Sequence, residues 1–262
     1  MGIAVQMYTV RDFTTNTAAF ARTLSAISEI GYEAVQLSAV GAMSGENPEV
    51  GALQTRRLLD DSGLKCIATH RNWNDLVTQT AAEIEFHKIL GCDFAAIGGI
   101  PPRYGDRGAE GYRDFIRDAA PVISALKSAG IAFGYHNHAH EFQRIDSNGN
   151  NTLFDLFIEE GGADFMLEID VYWVNHAGVN PVRIFDRCSG RTPVVHLKDK
   201  EVAAGDGPVM APVGEGNMDW QSILPACVLA GVEWYAVEQD VCRRDPFDCL
   251  RSSYEFLSCQ GL

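Results

Sequence analysis

Residues 130–138 read Gly-Ile-Ala-Phe-Gly-Tyr-His-Asn-His. The stretch opens with a glycine, continues as a β-rich run and ends in polar side chains. A glycine just past a helix adopts the left-handed conformation that ends the helix and turns the chain into the next strand. This segment therefore predicts a helix-to-strand junction, with polar groups at the C-terminal end of the strand.

The same pattern, a glycine between a helix-like stretch and a β-rich run, recurs along the whole chain. Glycines close helix-like stretches at positions 31, 63, 91, 130, 161, 190 and 231. With an N-terminal β-rich run, the segments that follow them give eight predicted strands: 3–10, 32–38, 64–70, 92–98, 131–138, 163–170, 191–198 and 232–240. Strands that alternate with helices predict a parallel sheet with the helices outside it.

An open, doubly wound sheet is the alternative to a closed barrel. The turn after the first strand, residues 9–13 (Thr-Val-Arg-Asp-Phe), lacks the glycine-rich phosphate loop of that fold. No linker-like segment divides the chain. We therefore predict a single (β/α)₈ TIM-barrel domain over residues 1–262. Pro121 is expected to kink or split the helix between residues 112 and 128.

Composition restricts the class of function. The formal net charge is −14, from 21 basic and 35 acidic residues, which opposes binding of nucleic acid or anionic lipid because both require Lys and Arg at phosphates. No apolar stretch approaches a membrane span and no secretory signal opens the chain. The seven cysteines include no Cys-x-x-Cys pair. We expect a cytoplasmic protein with no nucleic-acid or membrane partner, and a homo-oligomer stays open.

Polar residues collect at the predicted C-terminal ends of five strands, where TIM barrels carry their chemistry. They are His70, His136-Asn137-His138, Glu168-Ile169-Asp170, His196-Leu197-Lys198-Asp199 and Glu238-Gln239-Asp240. Any one of them can be a solvated strand end, but carboxylates and imidazoles are costly against an apolar core unless they are paired or metal-bound. Such a set, free of thiolates, suits a divalent cation: Mn²⁺, Mg²⁺, Co²⁺ or Zn²⁺.

At these residues the sequence resembles the sugar phosphate isomerase/epimerase family. These are xylose isomerase-like TIM barrels that include ketose 3-epimerases, inosose dehydratases and 3-dehydroshikimate dehydratases. The resemblance covers nearly the whole chain. Its markers are VQMYTVRD at 5–12, GYHNHAHEF at 134–142, Asp170-x-x-Trp173, HLKD at 196–199, VGEGNMDW at 213–220 and VEQD at 237–240.

The resemblance implies one divalent ion held by a Glu–Asp–His–Glu set from the fifth to eighth strands. It assigns Asp170, His196 and Glu238 to that set. Relatives with the Tyr-His-Asn-His pattern keep a glutamate three residues after the second histidine, which is Glu141 here. We expect Glu141 as the fourth ligand, with His136 as the alternative.

The resemblance also implies proton abstraction next to a carbonyl of a small sugar, keto-sugar or polyol. Glu141 and Glu238 are then the two carboxylates that exchange protons with carbon, and His138 moves protons between substrate oxygens or assists loss of hydroxide. The expected substrate contacts are His70, His136, Trp173, Lys198 and Glu215.

Three alternatives remain at this point. The same metal site could serve a dehydratase of a keto-polyol. An AP endonuclease shares this fold, but the net negative charge opposes DNA binding. In addition, Trp173 stands where the endonuclease branch has a metal-binding histidine. A non-catalytic sugar-binding protein follows if Glu141 is out of position. One departure from the family concerns the second strand, where relatives often have a glutamate and this chain has Gln36, which cannot act as a base.

Overall fold

The computed structural model describes residues 1–146 and 149–262. Its strands are β1 (Gly2–Gln6), β2 (Ala34–Leu37), β3 (Lys65–His70), β4 (Phe94–Ile97), β5 (Ala132–His136), β6 (Phe165–Asp170), β7 (Val194–Leu197), β8 (Asp199–Ala203), β9 (Gly207–Ala211) and β10 (Trp234–Val237). Eight of them pair in parallel as a closed barrel, in the order β1-β10-β7-β6-β5-β4-β3-β2. Because the sheet is closed, the open doubly wound alternative is excluded and the predicted (β/α)₈ TIM barrel is confirmed.

Helices connect the barrel strands on the outside. They are α1 (Thr17–Ile30), α2 (Ala52–Asp61), α3 (Trp73–Thr78), α4 (Thr80–Leu90), α5 (Pro102–Gly105), α6 (Gly108–Ser128), α7 (Leu153–Glu160), α8 (Val171–His176), α9 (Pro181–Arg187), α10 (Trp220–Ala230) and α11 (Pro246–Cys259). Short 3₁₀ helices occupy Met7–Phe13, Gly41–Met43 and His140–Phe142. Within the described residues, no helix combines the length and the apolar character needed to cross a membrane.

The interior of the barrel changes from apolar to polar along the strands. Small residues line its middle: Ala4, Ala34, Ala68, Ala96 and Ala236 belong to one buried cluster. Side chains alternate between the two faces of a strand, so the residue two positions beyond each inward-facing one also points inward. Those next positions are mostly polar, and they carry Gln6, Gln36, His70, His136, Glu168, Asp170, His196 and Glu238. The strand ends therefore gather polar groups above an apolar floor.

The outward faces of the strands pack against the helices through aromatic side chains. On β5 these are Phe133 and Tyr135; Phe133 lies 5.4 Å from Phe165 of β6 and Tyr135 lies 4.3 Å from Phe157 of α7, measured between ring centroids. Phe115 of α6 joins the same cluster. The odd-numbered residues of β5 thus face the helices, which fixes the even-numbered residue His136 toward the barrel interior.

The helix with an internal proline differs from the sequence expectation. α6 continues through Pro121 as one element, so the expected split does not occur. Pro121 lies on the exposed face of the helix, while Phe115, Val122 and Leu126 on the other face are buried. Packing of that face on the barrel supports the helix on both sides of Pro121, although the proline removes one backbone hydrogen bond.

A hairpin between the seventh and eighth barrel strands is a second difference. β8 and β9 pair antiparallel and form a separate two-stranded sheet. Asp199 anchors the segment that follows: its buried carboxylate accepts hydrogen bonds from the backbone of Gly214, Gly216 and Met218 and from the indole of Trp220. This hairpin was not expected from the sequence.

The narrow barrel interior makes Gly134 of β5 a sensitive position. A methyl group there would lie 2.4 Å from Cζ of the Phe94 ring and 3.2 Å from Cβ of Ala96. We predict that Gly134→Ala lowers the free energy of unfolding by about 1–3 kcal/mol, the usual cost of overpacking, as measured by urea denaturation. Adding Phe94→Leu should recover part of that loss.

Gly51→Ala is the matched control, because no atom lies within 4 Å of a methyl group built at Gly51. Its effect should stay below about 1 kcal/mol, as expected for an exposed helix N-cap. Equal stability of Gly134→Ala and the unmodified protein would show that the barrel interior is looser than described.

Candidate functional site

A cavity of about 380 Å³ opens at the C-terminal ends of the barrel strands. It is lined by Tyr8, Ser38, Ala39, His70, Gly98, His136, His138, Lys198, Glu238 and Asp240. These residues lie at or just beyond the ends of seven barrel strands. The structure therefore brings five of the predicted site residues to one cavity: His70, His136, His138, Lys198 and Glu238.

Four buried side chains beneath this cavity form a group that could hold a metal ion. His136, Asp170, His196 and Glu238 each offer one ligand atom, and these atoms lie within 4.8 Å of one another. His196 Nδ1 is 2.8 Å from Glu238 Oε2 and 4.0 Å from Asp170 Oδ2, while His136 Nε2 is 3.3 Å from Asp170 Oδ2. Two imidazoles and two carboxylates from four strands thus meet at one point.

The orientation of His196 shows that this point favours positive charge. Its Nε2 lies 2.7 Å from Gln36 Oε1, which only accepts hydrogen bonds, so Nε2 carries a hydrogen. Its Nδ1 then faces the carboxylate of Glu238, a repulsive contact for a lone pair unless a proton or a metal ion lies between them. Burial alone would lower the pKa of His196, but the carboxylates of Glu168 and Glu238 outweigh burial and raise it to about 10.

The surrounding charges are also compatible with a divalent cation. Lys198 is buried, and its Nζ lies 3.0 Å from Asp170 Oδ2, 2.8 Å from Glu238 Oε2 and 2.8 Å from Asp240 Oδ1. Burial would raise the pKa of Asp170 and of Glu238, but Lys198 and the histidines hold both below their ordinary values. With Glu168, the cluster holds four carboxylates against the Lys198 ammonium group and the protonated His196 ring, an excess of negative charge that a divalent ion would offset.

The structure does not bring Glu141, the expected fourth ligand, to this group. Glu141 Oε1 accepts a hydrogen bond from the hydroxyl of Tyr135 at 2.7 Å, and Oε2 accepts one from the backbone amide of His138 at 2.8 Å. Tyr135 packs against the helices outside the barrel, and its partner Glu141 does not line the cavity. Burial there raises the pKa of Glu141. His136, the alternative, belongs to the four-residue group.

His138 and Trp173 lie next to each other at the side of the cavity. Their ring centroids are 5.6 Å apart, and Lys198 Nζ lies 5.7 Å from the centroid of the Trp173 ring. Burial lowers the pKa of His138 to about 3. Its Nδ1 and the indole nitrogen of Trp173 are both buried without a hydrogen-bond partner among the described residues. His138 reaches the cavity, whereas Trp173 stands behind it.

Glu215, an expected substrate contact, does not line the cavity. It is exposed, and its carboxylate binds the guanidinium of Arg244, with an Nη1–Oε2 distance of 2.8 Å, and the hydroxyl of Ser252. Arg244 precedes α11 and Ser252 belongs to it, so these contacts attach the segment after β9 to that helix.

Two polar residues of the site were given no functional role from the sequence. Glu168 is fully buried and binds His70, Gln36 and His196. Gln36, noted only as unable to act as a base, connects His196 to Glu168. Glu168 lies two residues before Asp170 and Gln36 two residues after Ala34, so a reading of the strands with period two places both inside the barrel.

Comparison with known proteins agrees with this architecture. Residues 24–240 match the family model described as a xylose isomerase-like TIM barrel. The chain belongs to this family. The match covers seven of the eight barrel strands completely and includes all four members of the possible metal group. A search of curated protein sequences finds no significant match.

Several solved structures of this fold are similar to the chain. A sugar phosphate isomerase/epimerase from Parabacteroides distasonis has a TM-score of 0.79 at 20% identity, covering 98% of each chain. A probable 3-DHS dehydratase involved in petrobactin synthesis from Bacillus anthracis has a TM-score of 0.73 at 13% identity, covering 98% of this chain and 99% of that one. An L-ribulose 3-epimerase has 0.71 at 16%, covering 98% and 93%. At these identities the likeness demonstrates the fold.

Proposed function

We propose that the protein is a divalent-metal-dependent isomerase or epimerase that moves a proton on carbon next to a carbonyl of a small sugar, keto-sugar or polyol. The observation that carries the proposal is the buried group of His136, Asp170, His196 and Glu238 beneath an open polar cavity. Membership of the xylose isomerase-like family supports it, as does the similarity to an L-ribulose 3-epimerase.

Four residues would hold the ion: Asp170, His196, Glu238 and, in place of Glu141, His136. Gln36 accepts the Nε2 hydrogen of His196 and so keeps Nδ1 directed at the carboxylates, as partners of metal-binding histidines commonly do. Asp170 is oriented by α8, since its Oδ1 accepts the backbone amide of Trp173 at 3.0 Å. When bound, the ion supplies Lewis-acid stabilisation of negative charge on a substrate oxygen.

Glu238 is the proposed proton-transfer group on one side of the cavity. Its Oε2 is engaged by His196 and Lys198, which leaves Oε1 as the oxygen available to a carbon-bound hydrogen of the substrate. Lys198 is held at the cavity by Asp240, and its ammonium group is placed to bind a substrate oxygen. Lys198 would orient the substrate, and Glu238 would receive the proton.

His138 is the proposed carrier of protons between substrate oxygens. Its ring lines the cavity 4.8 Å from the ring of His136, and its Nδ1 has no protein partner among the described residues. Glu141 contributes to this role indirectly, since its carboxylate accepts the backbone amide of His138 and fixes the turn after β5. We therefore assign Glu141 to positioning rather than to proton exchange with carbon.

A dehydratase that acts on a keto-polyol is the second candidate. The chain is similar in structure to a probable 3-DHS dehydratase, and loss of a β-hydroxyl also starts with removal of a proton next to a carbonyl. In that case His138 would protonate the departing hydroxyl group. Product analysis separates the two reactions, because only dehydration releases water and forms a new carbon–carbon double bond.

The first prediction of this proposal concerns metal content. Elemental analysis of protein purified without chelator should find about one divalent ion per chain. Asp170→Asn and His196→Ala should reduce it at least tenfold, since each removes a charge or a ligand while Asn preserves the N-cap of α8. Glu141→Gln and His138→Ala should keep the ion.

Glu141→Gln serves as the matched control, because it removes a buried carboxylate of the same region without touching the four-residue group. If it lost the ion as completely as Asp170→Asn, Glu141 would be a ligand and the assignment of His136 would be wrong. Full activity of the metal-free protein would contradict the proposed dependence on a metal ion.

The second prediction concerns the reaction. Metal-loaded enzyme incubated in D₂O with a panel of ketoses, inososes and 3-keto sugars should replace one carbon-bound hydrogen by deuterium, as followed by NMR. Glu238→Gln should slow this exchange at least 100-fold, because it removes the base at nearly constant volume. Epimerisation and dehydration both predict this exchange, because both start with removal of a carbon-bound proton.

Asp206→Asn, in the exposed turn between β8 and β9, is the matched carboxylate control. Its deuterium-exchange rate should equal that of the unmodified enzyme. Turnover of a panel member without deuterium entering the product would contradict proton transfer and indicate a hydride shift instead.

A further inference from the structure

Glu168 of β6 is a buried carboxylate that the proposed function leaves without a role. It has no exposed surface, does not line the cavity and is not a member of the four-residue group. Two donors converge on it, His70 Nε2 at 2.5 Å and Gln36 Nε2 at 2.8 Å, and His196 Nε2 lies 3.3 Å away as an ion-pair contact. A buried carboxylate is costly even when it is paired, so a carboxylate placed here calls for a specific explanation.

The shortest of these contacts orients His70 of β3. An ionised carboxylate only accepts hydrogen bonds, so His70 Nε2 carries the hydrogen in this pair. The other ring nitrogen, Nδ1, is therefore the one left for a substrate. It lies 3.5 Å from the hydroxyl of Ser38 and close to Gly98, where an added methyl group would be 3.2 Å away. Ser38, His70 and Gly98 all line the cavity.

His70 and Glu238 approach the cavity from well-separated strands. In the closed barrel, β3 and β10 are separated by β1 and β2 on one side and by four strands on the other. A substrate between them would meet an imidazole on one side and a carboxylate on the other. Epimerisation by proton transfer needs two such groups, one for each face of the reacting carbon. Glu141 does not line the cavity, and both of its carboxylate oxygens are bound, by the Tyr135 hydroxyl and the His138 amide.

We propose that His70 is the second catalytic residue, exchanging a proton with substrate carbon through Nδ1, and that Glu168 is the positioning residue that holds it. This inference rests on the proposed function. In one direction Glu238 takes the proton from carbon, and the electrons of the broken C–H bond pass toward the carbonyl oxygen. His70 gives its Nδ1 proton to the opposite face of the same carbon as those electrons return.

The protons balance in this step. Glu238 gains one and His70 loses one, and exchange with solvent resets the pair. In the reverse direction His70 Nδ1 is the base, and the imidazolium that results is stabilised by Glu168. The carboxylate thus keeps Nδ1 directed at the cavity in either protonation state.

The test uses metal-loaded full-length enzyme and both epimers of a substrate identified by deuterium exchange. His70→Gln should lower epimerisation at least 100-fold and should abolish deuterium exchange from one epimer while sparing exchange from the other. A loss of fold or of metal would reduce exchange from both epimers alike. His176→Gln, an exposed histidine on α8, should change neither rate.

A second readout does not depend on turnover. In ¹⁵N-histidine-labelled, Mg²⁺-loaded protein, NMR should show a hydrogen on His70 Nε2 that exchanges slowly with solvent. Glu168→Gln should accelerate that exchange at least tenfold. If Glu168→Gln does not fold, Gly98→Ala is used instead. This variant leaves His70 and Glu168 in place but crowds His70 Nδ1, so it should slow deuterium exchange of the same substrate epimer that His70→Gln affects.

Equal loss of exchange from both epimers in His70→Gln, with metal retained, would overturn the proposal, as would no loss at all. Loss of the ion in Glu168→Gln to the extent seen in Asp170→Asn would make Glu168 a ligand and would overturn its positioning role. If the unmodified enzyme exchanges no substrate, the proposed function has failed, and the NMR readout alone then decides whether Glu168 holds His70.

Discussion

Burial of like charges is the constraint on which the site depends. Glu168, Asp170 and Glu238 are almost completely removed from solvent within a few ångströms of one another, with Asp240 close by. Such a group is stable only when positive charge is interleaved with it. Lys198 and His196 supply part of that charge through direct contacts with the carboxylates. We interpret the remaining excess of negative charge as the reason that a cation would bind here.

The barrel provides this arrangement through the alternation of side chains along its strands. Small residues such as Ala4, Ala68 and Gly134 fill the narrow middle of the barrel. The next inward-facing positions, nearer the C-terminal ends of the strands, carry polar side chains. Each polar group then meets partners from other strands, as His196 does with Gln36 across the interior. The rigidity of the closed sheet holds donors in place before any ligand arrives, which is what metal binding and catalysis both require.

Most of the fold and part of the site were predictable from the sequence. Seven barrel strands were located by the glycines that end the preceding helices, and the first by the N-terminal β-rich run. Six of those seven glycines have a positive φ, and after α7 it is Gly162 rather than Gly161 that does. The polar strand ends located the cavity. Glu141, which the family resemblance implies as a ligand, is not in the four-residue group, whereas strand alternation places His136 inside the barrel and Tyr135, the partner of Glu141, on its outer face. Glu168 was counted among the polar strand ends but was given no role of its own, because its contact with His70 joins residues 98 positions apart in sequence and no local pattern encodes it.

We propose that His136, Asp170, His196 and Glu238 form the metal site, and an anomalous difference map from crystals grown with Mn²⁺ tests this assignment. One strong peak is expected within coordination distance of all four side chains, with Lys198 Nζ displaced from the oxygens that bind the ion. A peak beside His138, His140 and Glu141, which form a separate group, or no peak at saturating Mn²⁺, would contradict it.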